Sequence, residues 1–207
     1  MRVLVCTATA LESQWLREQG LSDPSVTLCV TGVGPVNAAH SATVAILRDR
    51  PDAIVVCGIA GAYPSSGLAV GDVVCASSEC YGDLGADSPS GFLDMEALGF
   101  PVVSGPPPVY NTMPLRVFPL ERRVPHVTVS TCTGTDEAAR AIEARTGGAV
   151  ENMEGAAVAH VGLLLGVPVG QVRGISNLVT TRNPREWRIH EAARAAQQAL
   201  WTWLTTR

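Results

Sequence analysis

"GGAVENMEGAAVAHVGLLLGVPVGQVRGISNLV", residues 147–179, holds a complete strand–helix–strand unit, and its reading decides the fold. A short strand precedes Asn152. A run of small and apolar residues from about Glu154 to Leu165 then reads as a helix, which Gly166 stops. "VPVGQVRGISNLV" follows, apolar on both of its alternating faces, as a strand covered on each side must be. Strands alternating with helices point to an α/β sandwich around a largely parallel sheet. The second strand nevertheless carries Arg173, Ser176 and Asn177. A buried unpaired guanidinium costs several kcal/mol, so polar partners are expected where this strand ends.

The same alternation extends outward. "RVLVC" (2–6), "VTLCVTGVG" (26–34), "DAIVVCGIAGA" (52–62), "GDVVCASSEC" (71–80) and "HVTVSTCTG" (126–134) read as further strands. Helices are expected from Ala10 to about Gln19 and over 35–50, with Pro35 in the first turn. Two more are expected over 135–146, capped by Thr135 or Asp136, and through "PREWRIHEAARAAQQALWTWLTTR" at the end of the chain. Residues 81–124 differ: they are rich in Gly and Pro, and "SGPPPVYNTMP" (104–114) is expected to be irregular. Such a segment is too long for an idle loop, so it is expected to serve the site or an interface. The resulting expectation is α/β: one domain spanning 1–207, a three-layer αβα sandwich around a mixed, largely parallel sheet.

Composition narrows the chemistry. The chain has 207 residues, 46% of them hydrophobic and 16% charged, enough for one sizeable core. A net charge of -4 without a basic cluster argues against nucleic acid as a partner. No apolar run reaches the roughly 20 residues a bilayer span needs, so a membrane partner is not expected either. "MRVLVCTATALES" reads as a first strand rather than a signal peptide, which points to the cytoplasm. All 15 basic residues are Arg. Without Lys, a GK[ST] phosphate loop, a Schiff base and a Ser-x-x-Lys nucleophile are all impossible. Six cysteines form no CxxC and four histidines no HExxH, so neither a metal nor another cofactor is expected.

In sheets of this kind ligands sit beyond the carboxyl ends of strands. The residues expected there are Glu12, the "GIAGA" turn with Ile59 and Gly61, "STCTG", "ENMEG", and Arg173, Ser176 and Asn177. Each has an ordinary explanation. "TGVGPVN" is half a dinucleotide fingerprint but sits after the second strand, where a tight turn accounts for it. Glu12 is an unremarkable first-turn residue, and any Glu at position 154 gains from the helix dipole. Two carboxylates, an Arg and an amide at one sheet edge are less easily explained singly. Paired carboxylates suit the cleavage of a glycosidic bond: one orients water and the other supports the sugar cation.

"ENMEGAAVAHV" followed by "VPVGQVRGISN" resembles the signature of the purine nucleoside phosphorylase and nucleosidase superfamily, in particular the methylthioadenosine/S-adenosylhomocysteine nucleosidases. Their motif reads E-M-E-x-A-A and then R-x-I-S-D. "CTATALES", "TGVGPVNAA" and "GIAGAYPSSGLAVGDVV" match in order and spacing, so the resemblance covers nearly the whole chain. Further stretches, "GFLDMEALGFP", "STCTGT" and "RGISNLVTTRNPREW" among them, are similar to the futalosine hydrolases, nucleosidases of the alternative menaquinone pathway. The resemblance implies that Glu12 binds and deprotonates the attacking water and that Glu154 holds ribose hydroxyls. It implies that Met153 packs under the sugar and that Arg173 anchors the water and carboxylates. Thr131 and Cys132 would read the base through their backbone, with Ile59, Gly61 and Ser176 also lining the substrate. It implies a small nucleoside as ligand and a homo-oligomer, at least a dimer. In that dimer Phe92, Phe100 or Tyr110 would lie near the partner's substrate tail.

Three positions depart from the pattern. Asn152 replaces the first glutamate of E-M-E, which removes one expected ribose contact. Thr131 stands where an aromatic side chain stacks on the purine. Asn177 replaces the Asp that protonates N7, which favours a 6-oxopurine as leaving group because an amide NH2 can donate to both N7 and O6. A phosphorylase is opposed by Glu12, which would repel the anion, and a methylthioadenosine-type nucleosidase by Asn177. A nucleoside-binding regulator without turnover has Asn177 as its only support.

Overall fold

The computed structural model describes residues 1–21 and 23–207, and its first strand shows why the layers form. Strand β1 (Val3–Thr7) buries every residue. Successive side chains point to opposite faces, so Val3 and Val5 join one apolar cluster and Leu4 and Cys6 another. The first cluster is completed by Leu16 of α1 (Leu11–Glu18) and the second by Ala42 and Ile46 of α2 (Pro35–Asp49). Between these helices runs β2 (Val26–Val30), and after them β3 (Ala53–Ala62) repeats the division: Val55 and Cys57 face one cluster, Ile54 and Val56 the other.

The chain continues through β4 (Val73–Tyr81), a hairpin of β5 (Ala86–Ser88) and β6 (Gly91–Leu93), one turn of α3 (Met95–Leu98) and the two-residue β7 (Met113–Pro114). β8 (Arg123–Thr128), α4 (Asp136–Thr146), β9 (Val150–Asn152), α5 (Gly155–Leu165), β10 (Val169–Leu178) and α6 (Ile189–Thr206) complete it. The Thr135 side chain caps α4 by accepting from Ala138 N–H, and Gly166 ends α5 in the left-handed conformation. α1 and α6 cover one face of the sheet, α2 and α5 the other. Among the described residues, no helix is long and apolar enough to cross a membrane.

The expected mixed sheet with helices on both faces is present, and it also curls. β3 pairs parallel with β1 through its first half and antiparallel with β9 at its end, while β10 runs parallel along its other edge. β10 then pairs with β4, β4 with β8, and β8 with β9. Five strands therefore close into a ring, with β1 and β2 extending outward from β3. Because β8 and β9 run opposite to β3 and β10, the polar residues do not collect only at carboxyl ends of parallel strands. They arrive at one place from both directions.

Several expected boundaries move: the strand expected over 26–34 ends at Val30, and the last helix begins at Ile189, after a separate 3-10 turn at Pro184–Glu186. The 126–134 strand stops at Thr128, because the backbone beyond is taken by side chains: Ser130 N–H donates to Asp83 at 2.6 Å and Thr133 N–H to Glu151 at 2.9 Å. Within the segment expected to be irregular, Met113–Pro114 pair with Glu79 and Ser78 of β4.

Candidate active site

Glu12 opens α1 directly after β1, and although its helix is amphipathic the carboxylate is turned inward, 4% exposed. Oε2 accepts from Thr9 N–H at 2.9 Å and Thr9 Oγ1 at 3.0 Å; Oε1 accepts from Ile59 N–H at 2.9 Å. Gly58 makes this possible, since a Cβ there would lie 2.3 Å from Glu12 Oε1 and 2.7 Å from Arg173 Nη1.

Arg173 is 1% exposed in the middle of β10. Its guanidinium donates to Ile59 C=O at 3.1 Å, Asn152 Oδ1 at 3.1 Å and Glu154 Oε2 at 3.3 Å. These contacts supply the polar partners its burial requires. Among the described residues, Nε finds none. Glu154, the residue before α5, uses its other oxygen to accept from Gly34 N–H at 3.2 Å. The turn that imitates a dinucleotide fingerprint thus presents its amide to a carboxylate of the same chain.

Asn152 departs from the pattern for a structural reason. Its Oδ1 accepts from the N–H groups of Glu154 and Gly155, from Thr128 Oγ1 and from Arg173. Its Nδ2 donates to Glu79 Oε1 at 2.6 Å and to Val127 C=O. A glutamate here would set a second carboxylate against Glu79, which is already fully buried. Burial pushes Glu79 up to about 7, although Asn152, Gln171, Arg173 and Thr128 pull the other way. Gln171 bridges Glu79 to His126 Nδ1, and burial with Arg173 nearby drives that imidazole down to about 3.

Glu12, Glu154 and Arg173 share one cavity of about 280 Å³ with Ile59, Gly61, Cys132, Met153, Ser176 and Asn177. Thr131 does not line it: its side chain is exposed, and the residue after Cys132, Thr133, lines the wall instead. Asn177 Oδ1 accepts from Ser176 Oγ at 2.7 Å, and Nδ2 donates to Leu178 C=O at 3.0 Å, leaving one N–H for the cavity. Trp187 and Ile189 form an outer wall, with Arg182 stacked 4.5 Å over the Trp187 ring.

Sequence reading missed Glu151, a buried carboxylate on the same cavity. It accepts from Thr133 N–H and Oγ1 and from Tyr63 OH. Burial of the Tyr63 phenol, with the negative charge of Glu151 beside it, pushes that phenol well above its usual range. The one signal available was its place next to Asn152 and Glu154. Its pairing with β3 is long-range and cannot be read locally.

The model of the phosphorylase superfamily matches residues 13–204. A futalosine hydrolase of Streptomyces coelicolor is 35% identical, over 97% of this chain and 94% of that protein. One of Thermus thermophilus is 32% identical over 95% and 92%. Among solved structures, a 5'-methylthioadenosine/S-adenosylhomocysteine nucleosidase of Neisseria meningitidis in complex with methylthio-immucillin-A superposes with a TM-score of 0.84, covering 100% of this chain and 99% of that one. At 19% identity this likeness establishes the shared fold. With the family model matched over residues 13–204 and both hydrolases aligned over more than nine-tenths of either chain, the chain belongs to the phosphorylase superfamily and, within it, to the futalosine hydrolases.

Proposed function

We propose that this protein hydrolyses the N-glycosidic bond of futalosine, releasing hypoxanthine and dehypoxanthine futalosine in the futalosine route to menaquinone. The observation that carries the reading is the pair of buried carboxylates, Glu12 and Glu154, on one cavity and joined through Arg173 and Ile59. Water held by Glu12 attacks the anomeric carbon and gives it a proton. Glu154 holds ribose hydroxyls and supports the cationic sugar, Met153 packs beneath it, and Arg173 fixes both carboxylates. The electron pair of the broken bond passes to the purine. There the free N–H of Asn177 donates to N7, and the base takes up a proton to balance the one Glu12 received. Cys132 reads the base edge through its backbone; Thr131 is too exposed to share that role.

The enzyme is placed in the cytoplasm, where its six free cysteines would stay reduced. It is read as a homo-oligomer, at least a dimer. Val33 lines the cavity while 49% exposed, and Val36, Val44 and Leu47 of α2 continue an apolar surface from it. Incubation with futalosine, inosine and methylthioadenosine, with and without phosphate, and detection of the free base tests the reaction. Phosphate-independent release of hypoxanthine from futalosine is expected. Release that requires phosphate would identify a phosphorylase instead.

A further inference from the structure

Glu151, Gly61 and Asn177 stand in one row across three strands. Gly61 pairs with Glu151 of β9 on one side and with Asn177 of β10 on the other, where a bulge at Ser176 brings the amide into line. Directly paired residues project from the same face of a sheet. A carboxylate and an amide therefore rise on either side of a residue that has no side chain. Strands lie about 4.8 Å apart, so the two groups stand on positions roughly 10 Å apart, a span that admits a purine edge with a hydrogen bond at each end. Gly61 keeps the floor between them clear: a Cβ there would reach 2.7 Å from Val179 Cγ2 and 3.0 Å from Asn177 Nδ2.

The hydrogen bonds already on Glu151 fix what it has left to offer. Oε2 accepts from Tyr63 OH and Thr133 Oγ1, and Oε1 accepts from Thr133 N–H. Of the four acceptor positions of a carboxylate, one on Oε1 stays open. Glu151 is 5% exposed and lines the cavity.

We propose that Glu151 determines base specificity, accepting the N1–H of a 6-oxopurine while the one free N–H of Asn177 is shared between N7 and O6. This deepens the futalosine reading and rests on it for the orientation of the base. A 6-oxopurine carries a hydrogen at N1 and lone pairs at O6 and N7, so it complements carboxylate and amide together. Adenine carries a lone pair at N1, which would face the open lone pair of Glu151, and hydrogens at its 6-amino group, which would face the amide NH2. A site built to receive a hydrogen rejects an analogue lacking it by a large factor, because its own polar group is left unpaired.

Equilibrium binding of free hypoxanthine, adenine and 1-methylhypoxanthine to the purified full chain, by calorimetry, tests this without turnover. The methylated base keeps O6 and N7 and loses only the N1–H. The wild type is expected to hold hypoxanthine at least ~100-fold tighter than either of the others. Glu151→Gln should lose at least ~10-fold for hypoxanthine, and, by donating to N1, should bring adenine within ~10-fold of it. Equal weakening of all three bases in Glu151→Gln would mean that Glu151 only braces Thr133 and Tyr63, and would overturn the proposal. So would a wild type that binds 1-methylhypoxanthine as well as hypoxanthine, or binds none of the three. If Glu151→Gln does not fold, the wild-type comparison of the two hypoxanthines still decides. A protein that shows the base preference but does not cleave futalosine would overturn the substrate and leave the role of Glu151 standing.

Discussion

Glu12 and Arg173 hold one residue from its two sides: Ile59 N–H donates to Glu12 Oε1 at 2.9 Å, and Arg173 Nη1 donates to Ile59 C=O at 3.1 Å. The candidate base and the buried cation are thus positioned by the same piece of β3. Glu12→Gln and Glu154→Gln keep shape and hydrogen-bonding reach but remove the negative charge. Each should lower kcat at least ~100-fold, the scale of general acid–base groups, with the circular dichroism spectrum unchanged. Near-normal turnover of Glu12→Gln would take it out of the mechanism.

Gly58 is the position where one added methyl group strikes both partners at once. Gly58→Ala should displace the Glu12 carboxylate or the guanidinium, and displacement by about 1 Å costs on the order of 100-fold in rate. Stability should fall by only ~1–3 kcal/mol, as overpacking usually does. A variant that melts earlier yet turns over normally would show that the tight approach is not needed for chemistry.

Asn177→Asp exchanges an NH2 donor for a carboxyl oxygen that can accept from a 6-amino group. The ratio of kcat/KM for futalosine over its 6-amino counterpart should shrink by roughly ten- to a hundredfold or invert, the value of a mismatched buried polar group. Equal use of the two substrates by the wild type would refute this role for the amide.

Glu79 and His126, bridged by Gln171, link stability to pH with opposite signs. Glu79 rises from 4.5 to about 7 on folding, so its contribution is full below pH 4.5 and is lost as pH rises through 7. His126 falls from 6.5 to about 3, so its contribution is full above pH 6.5 and is lost as pH falls. Between pH 5 and 6 the two cancel. Glu79→Gln leaves His126 unopposed, and the wild type should gain on the variant by ~1.4 kcal/mol per unit of acidification. Urea melts of both proteins at pH 5 and 6 measure this; a pH-independent difference would contradict it.

The apolar surface around Val36 and Leu47 predicts at least a dimer in analytical ultracentrifugation. Leu47→Glu, on the exposed face of α2, should shift the protein toward the monomer and raise KM more than it lowers kcat. Full activity in a demonstrably monomeric preparation would argue against a subunit-shared site.

The elements of 147–179 were legible because their signals are local: Gly166 stops α5 and the apolar run of β10 follows; their directions were not, since β9 pairs antiparallel with β3 while β10 pairs parallel with it. Arg173 and Asn177 stood out because they interrupt the apolar pattern of β10, whereas Glu12 and Glu154 drew notice only through their convergence with those two and through the motif resemblance. Thr131 was misplaced because the end of β8 is set by Asp83 and Glu151, distant residues that capture its backbone. Asn152 looked like a lost ribose contact, yet its partners on β4, β8 and β10 make it a hub of the buried network. Glu151 gave no more signal than its place in "ENMEG", because its meaning lies in the register of β9 against β3 and of β3 against β10.

The ring of five strands also bears on how the enzyme is made. β3 is synthesised early, but both of its neighbours in the ring, β9 and β10, come from the last third of the chain. Closure therefore requires long-range pairings, which form slowly, and a nascent chain that has not yet exposed residue 178 possesses Glu12 and Ile59 without the Arg and amide that face them. No early fragment carries a complete cleavage site. Nucleoside hydrolysis begins only once β9 and β10 have emerged and the ring has closed.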